Sequence, residues 1–79
     1  MSSEEAIKER IKELLDINNL SAYELSKNSN ISNSVISDCL RGKVKEPTLS
    51  TIIHICNGLN IDLKDFFDSE LFYNIKSRG

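Results

Sequence analysis

The stretch NISNSVISDCLRGK, residues 30–43, sets short polar side chains among Ile, Val and Leu and ends on a glycine flanked by Arg41 and Lys43. Residues spaced i, i+3 and i+4 share one face of a helix, so Ile36, Cys39 and Leu40 form an inward stripe. Asn33, Ser34, Ser37 and Asp38 then lie on the outer face, with Val35 at its edge. These residue types suit the edges of base pairs. An Asn amide donates and accepts together and so matches adenine N6 and N7, a Ser hydroxyl serves either partner, and Val35 can pack on a thymine methyl. Asp38 only accepts: its natural base partner is cytosine N4, and phosphate repels it. As a selector it would act against wrong sites, because an unmatched buried carboxylate is costly. As a solvated residue it would pair with Arg41 one turn on. The sequence leaves both open.

The elements that must hold this face can be read from local signals. Ser-Ser-Glu-Glu opens a helix over about 3–18, with cap residues followed by acids that suit the dipole, and Ile7, Ile11, Leu14 and Leu15 make its apolar stripe. Ser21 and Glu24 form a capping box for a short helix over about 21–28, with Leu20 placed to staple against Leu25. Asn30 suits a left-handed stop. Ser32 caps the helix that carries the polar face, over about 32–41, and Gly42 sits where a left-handed C-cap is expected. After Pro47, Thr48 caps a fourth helix over about 48–59, whose buried side should include Leu49, Ile52, Ile53, Cys56 and Leu59. Asn60-Ile61-Asp62 repeats the stop, core residue and cap, leading into a fifth helix over about 62–68 with Leu63, Phe66 and Phe67. No segment alternates with the period of a strand, so the fold class is all-α. Residues 1–68 form the expected domain, and 69–79 a tail that is a frayed extension or a dimerisation or partner-binding element.

The second and third helices, joined by a turn of about four residues, fit a helix-turn-helix, in which the first helix crosses the DNA backbone and the second lies in the major groove. The totals bound this reading. At 79 residues the chain makes one domain, with 39% hydrophobic and 28% charged residues. A net charge of −2 is unusual for a nucleic-acid binder. The sum hides a gradient: residues 1–20 carry −2, residues 47–79 carry −1, and residues 21–46 carry +1 from Lys27, Arg41, Lys43 and Lys45 against Glu24, Asp38 and Glu46. The net-positive third contains the polar helix. No apolar run approaches the roughly 18 residues of a membrane span. The charged start lacks the apolar core of a secretion signal, so a cytoplasmic location is expected, with Cys39 and Cys56 reduced core residues.

The run LSAYELSKNSNISNSVISDCLRGKVKEPTLSTIIHICNGLNIDLKDFF resembles the Cro/repressor-type helix-turn-helix domain of phage repressors and bacterial XRE-like regulators. Leu20-Ser21, Glu24-Leu25, Ile31-Ser32, Ile36-Ser37, Gly42-Lys43, Pro47, Leu59, Ile61 and Leu63 carry the resemblance, which extends from about Ile7 to Phe67. It implies a compact five-helix, lambda-repressor-like domain that binds double-stranded DNA as a homodimer. By the same resemblance Asn33, Ser34, Ser37 and Asp38 meet bases, and Arg41, Lys43 and Lys45 meet phosphates; Val35 is expected to join the base contacts, and Ser21, Tyr23 and Lys27 the phosphate contacts. The chain departs from the family where a Gln clamp is usual, with Ala22 followed by Tyr23. Tyr23 then supplies a hydroxyl to a phosphate or is a half-buried ring. Asn30 replaces the turn glycine. Asn33 and Asp38 stand where Arg, Lys or Gln is common, which weakens phosphate attraction and increases reliance on dimerisation.

Phe66, Phe67, Leu71, Phe72 and Ile75 crowd apolar area near the end of the chain and are the expected dimer interface, matching a palindromic site. The alternatives are a tail folded onto its own core, or a disordered one. The leading reading is a sequence-specific repressor. The other is a protein-binding module on the same scaffold, antitoxin-like or anti-repressor, with weak or lost DNA binding. Catalysis and cofactors are not expected. His54 and Cys56 lie i and i+2 on a helix and point apart, no further Cys or His completes a zinc site, and no nucleophile–His–acid set is visible.

Overall fold

The computed structural model describes residues 2–43, 47–73 and 75, and among these the fold is built of helices. They are α1 (Ser3–Ile17), α2 (Ala22–Ser29), α3 (Asn33–Arg41), α4 (Leu49–Leu59) and α5 (Leu63–Phe67), followed by a 3-10 turn (Glu70–Phe72).

Each helix starts on a side chain that satisfies an amide its own ladder leaves free. Ser2 accepts from the Glu5 amide, Ser32 from Val35, Thr48 from Thr51 and Asp62 from Asp65. In α2 the box is reciprocal: Ser21 Oγ accepts from the Glu24 amide at 3.1 Å, and the Ser21 amide donates to the Glu24 carboxylate at 3.0 Å. The stops are equally local. Asn30 and Asn60 take left-handed φ of 58° and 59°, and Gly42 takes 75°.

The core gathers Ile7, Ile11, Leu14 and Leu15 of α1, Leu25 of α2, Ile36 of α3, Ile52, Ile55, Cys56 and Leu59 of α4, and Phe66 of α5. Cys39 is buried beside them. The face of α4 differs from expectation. Leu49 and Ile53 are 58% and 40% exposed, whereas Ile55 is fully buried. The inward stripe is Ile52, Ile55, Cys56 and Leu59, which keeps helical period; the run Ile52-Ile53-His54-Ile55 is apolar on more than one face, so pattern alone did not set its rotation.

The chain after α5 folds back. The 3-10 turn packs against α1, and Phe72 packs half-buried on the core. Phe67 meets both Phe66 and Phe72 edge-on at 5.0 Å between ring centroids. One expected interface residue is thereby corrected: Phe66 is fully buried inside its own fold, so its ring has no surface to offer a second copy.

Arg10 ties this end down. Its guanidinium donates from Nε to the Phe66 carbonyl at 2.7 Å, from Nη2 to the Asp65 carbonyl at 2.7 Å and to that of Asp68 at 3.4 Å, and from Nη1 to the Glu13 carboxylate. These carbonyls lie at and just past the end of α5, where the backbone of the described residues supplies only the Asp68 amide, to the Asp65 carbonyl, so a planar five-donor cation is well matched to them.

Candidate nucleic-acid interface

The outward side of α3 begins at its first turn. Asn33, Ser34 and Val35 are exposed, Ser37 and Asp38 are half-buried, and Ile36 and Cys39 face the core. The side chains of Asn33 and Ser34 make no hydrogen bond or ion pair among the described residues, which leaves their polar atoms available to a ligand. The first turn of α3 carries no acid, unlike those of α1, α2 and α5. The partial positive charge of the helix start is therefore not neutralised by a neighbouring carboxylate. Asp38 forms no ion pair with Arg41; the ion pairs among the described residues are Arg10–Glu13 and Lys12–Glu9.

The far end of α3 is fixed by backbone. The Gly42 amide donates to the Cys39 carbonyl at 3.3 Å, and the Lys43 amide to that of Asp38 at 2.9 Å, a Schellman-type closure that needs the left-handed glycine. It directs Arg41 and Lys43, both exposed, out of the same helix end. Lys45 lies outside the described residues.

On α2 the exposed row is Tyr23 and Lys27, one turn apart, with Lys27 Nζ 5.5 Å from the Tyr23 ring centroid. Tyr23 is 59% exposed, which settles its environment as surface rather than half-buried core. Ser21 is exposed too, but its amide is committed to Glu24; what it retains for a ligand is the hydroxyl proton. The capping box expected from Ser21 and Glu24 is present, and it is what takes this amide.

The helical pair with its turn at Asn30 thus presents polar and cationic side chains on one connected sequence block. A family model of the Cro/C1-type HTH DNA-binding domain matches residues 10–70. The chain belongs to this family. A comparison with curated proteins gave no match. The match to the Cro/C1-type domain runs from Arg10 in α1 to Glu70 at the start of the 3-10 turn, and so includes the α2–turn–α3 unit whole. As a Cro/C1-type domain the protein is a DNA-binding regulator. No helix among the described residues is long and apolar enough to cross a membrane.

Burial pushes the thiols of Cys39 and Cys56 above their ordinary value, with a smaller contribution from Asp38 to the first and from Asp62 and Asp65 to the second. Both are buried thiols held toward the neutral form.

Proposed function

We propose that the protein is a repressor that reads a palindromic operator as a homodimer, excluding polymerase by occupying the site. Asn33, Ser34 and Val35 face base edges, with Ser37 and Asp38 a turn behind them. Tyr23, Lys27, the Ser21 hydroxyl and the cations Arg41, Lys43 and Lys45 hold phosphates. The observation that carries this reading is the exposed, acid-free first turn of α3, with uncommitted amide and hydroxyl groups, between the Tyr23–Lys27 row and the Arg41–Lys43 end. Phosphate contacts set register and affinity, and base-edge contacts set sequence choice. With Phe66 withdrawn into the core, a symmetric pairing falls to the more accessible apolar residues near the chain end, Phe67, Leu71, Phe72 and Ile75.

The test is selection from a randomised duplex pool at low and near-physiological salt, with the bound DNA sequenced. An enriched two-fold symmetric sequence that survives the higher salt supports a dimeric reader. Binding without sequence preference that disappears with salt rules it out, since non-specific affinity rests on counterion release.

A further inference from the structure

Among the described residues, two surface depressions lie wholly outside the α2–α3 unit, and one of them converges exposed apolar side chains. A groove of about 680 Å³ runs between the last turns of α1 and the chain after α5. Its walls include Ile17, Leu71 and Tyr73, and its charged groups are Arg10, Glu13, Asp68 and Glu70. Ile17 is 69% and Tyr73 70% exposed, although single exposed apolar residues need no explanation and two converging on one concavity do.

The electrostatics select the occupant. Arg10 is turned into the fold, its guanidinium consumed by the carbonyls of Asp65, Phe66 and Asp68 and by Glu13. The carboxylates of Asp68 and Glu70 have no cationic partner among the described residues. One lining cation against three lining carboxylates leaves the groove net negative by two. Nucleic acid is repelled from such a surface. A metal ion is not favoured either, because no group of three His, Cys, Asp or Glu among the described residues is arranged to hold one.

The geometry points to a protein-docking site for a basic segment of a partner: an extended or helical peptide with an apolar side chain seated between Ile17 and Tyr73, and flanking Lys or Arg against Asp68 and Glu70. The volume is in the range of pockets that enclose ligand-sized groups, enough for a short segment rather than a folded surface. Apolar anchors supply affinity in such sites and charge at the rim supplies choice of partner. The Arg10 clamp keeps the groove floor preformed, so little ordering cost falls on the protein side. No lining residue comes from α2 or α3, so a partner here leaves the α2–turn–α3 surface open; Leu71 belongs also to the proposed homodimer surface, where partner and second copy would compete.

The test uses the full chain, isotopically labelled for NMR, with three fluorescent peptides: one of Leu, Arg and Ser, its counterpart with Glu for Arg, and its counterpart without Leu. The Leu–Arg peptide should bind about ten-fold more tightly than either control and shift the amides of Glu13, Ile17 and Asp68 to Tyr73. Ile17→Ser and Glu70→Lys, both at exposed positions, should each weaken it about ten-fold while thermal unfolding and DNA binding stay unchanged. Equal binding of the Leu-free peptide would reduce the effect to bulk charge and overturn the proposal. So would variants without effect, or sedimentation showing a dimer in which Ile17 and Tyr73 are covered by a second copy.

Discussion

A Cβ built on Gly58 in α4 would stand 2.1 Å from Ser29 Oγ at the end of α2, and 2.9 and 3.0 Å from the Ser29 backbone N and Cα. The hydroxyl could swing aside, but the backbone atoms cannot without separating the two helices. Gly58→Ala therefore gains about 1 kcal/mol of helix propensity and loses more to overpacking, for a net destabilisation of about 1–2 kcal/mol. Ser29→Ala in the same chain should not restore stability, since the backbone contacts persist. Alone, Ser29→Ala should cost nothing, because its Oγ is buried without a hydrogen-bond partner among the described residues. Urea unfolding reads all three; an undiminished midpoint for Gly58→Ala would show that α2 and α4 part freely.

Arg10→Ala should cost about 3 kcal/mol or more, because it removes charge-assisted bonds and leaves the buried Phe66 carbonyl unsatisfied. Arg10→Lys should recover less than half of that. An ammonium reaches one carbonyl where the guanidinium fork spans several. Full stability of the Lys variant would mean that charge alone suffices there.

On DNA the two kinds of contact should separate. Lys43→Ala should weaken binding to all sequences and lower the salt slope by about 1, whereas Asn33→Ala should cost about 1–3 kcal/mol on the preferred site and relax base choice at one position. An Asn33→Ala protein with unchanged affinity and preference would remove α3 from the role of reading helix.

The two thiols give a pH dependence with a fixed sign. Burial raises both in the folded chain above the ordinary 9.0, so the native state keeps protons that the unfolded state releases. Stability is then fully present below that value and falls as pH rises through and beyond it. A Cys39→Ala, Cys56→Ala chain should show a shallower alkaline decline in chemical unfolding between about pH 8.5 and 10.5. An equally steep decline would assign it to other groups.

The helix ends were legible because each is written in neighbouring residues. Ser21 with Glu24, Ser32, Thr48 and Asp62 satisfy amides three positions on, and Asn30, Gly42 and Asn60 take the left-handed turn a helix stop asks for. The outward turn of Asn33, Ser34 and Val35 followed from period alone. What escaped depends on distant partners. The rotation of α4 is set by what it packs on, so Leu49 and Ile53 were assigned inward and Ile55 was not. Adjacent Phe66 and Phe67 read alike in sequence, yet the first is fully buried and the second 39% exposed. Nothing local pairs Arg10 with α5.

That last pairing has a kinetic side. Arg10 and Phe66 are 56 positions apart, whereas the capping bonds span three. Closing a long loop costs more chain entropy than closing a short one, so the clamp is the step in assembly that gains least from local contacts. The helices can find their limits early, and α5 with the 3-10 turn is expected to dock last. In native-state hydrogen exchange the amides of Phe66 and Phe72 should accordingly open at lower free energy than those of Leu25 and Ile55; equal protection throughout would make the fold a single cooperative unit. A domain of this kind would carry its most easily released element against α1, outside the α2–turn–α3 unit, and would loosen there with that unit still packed.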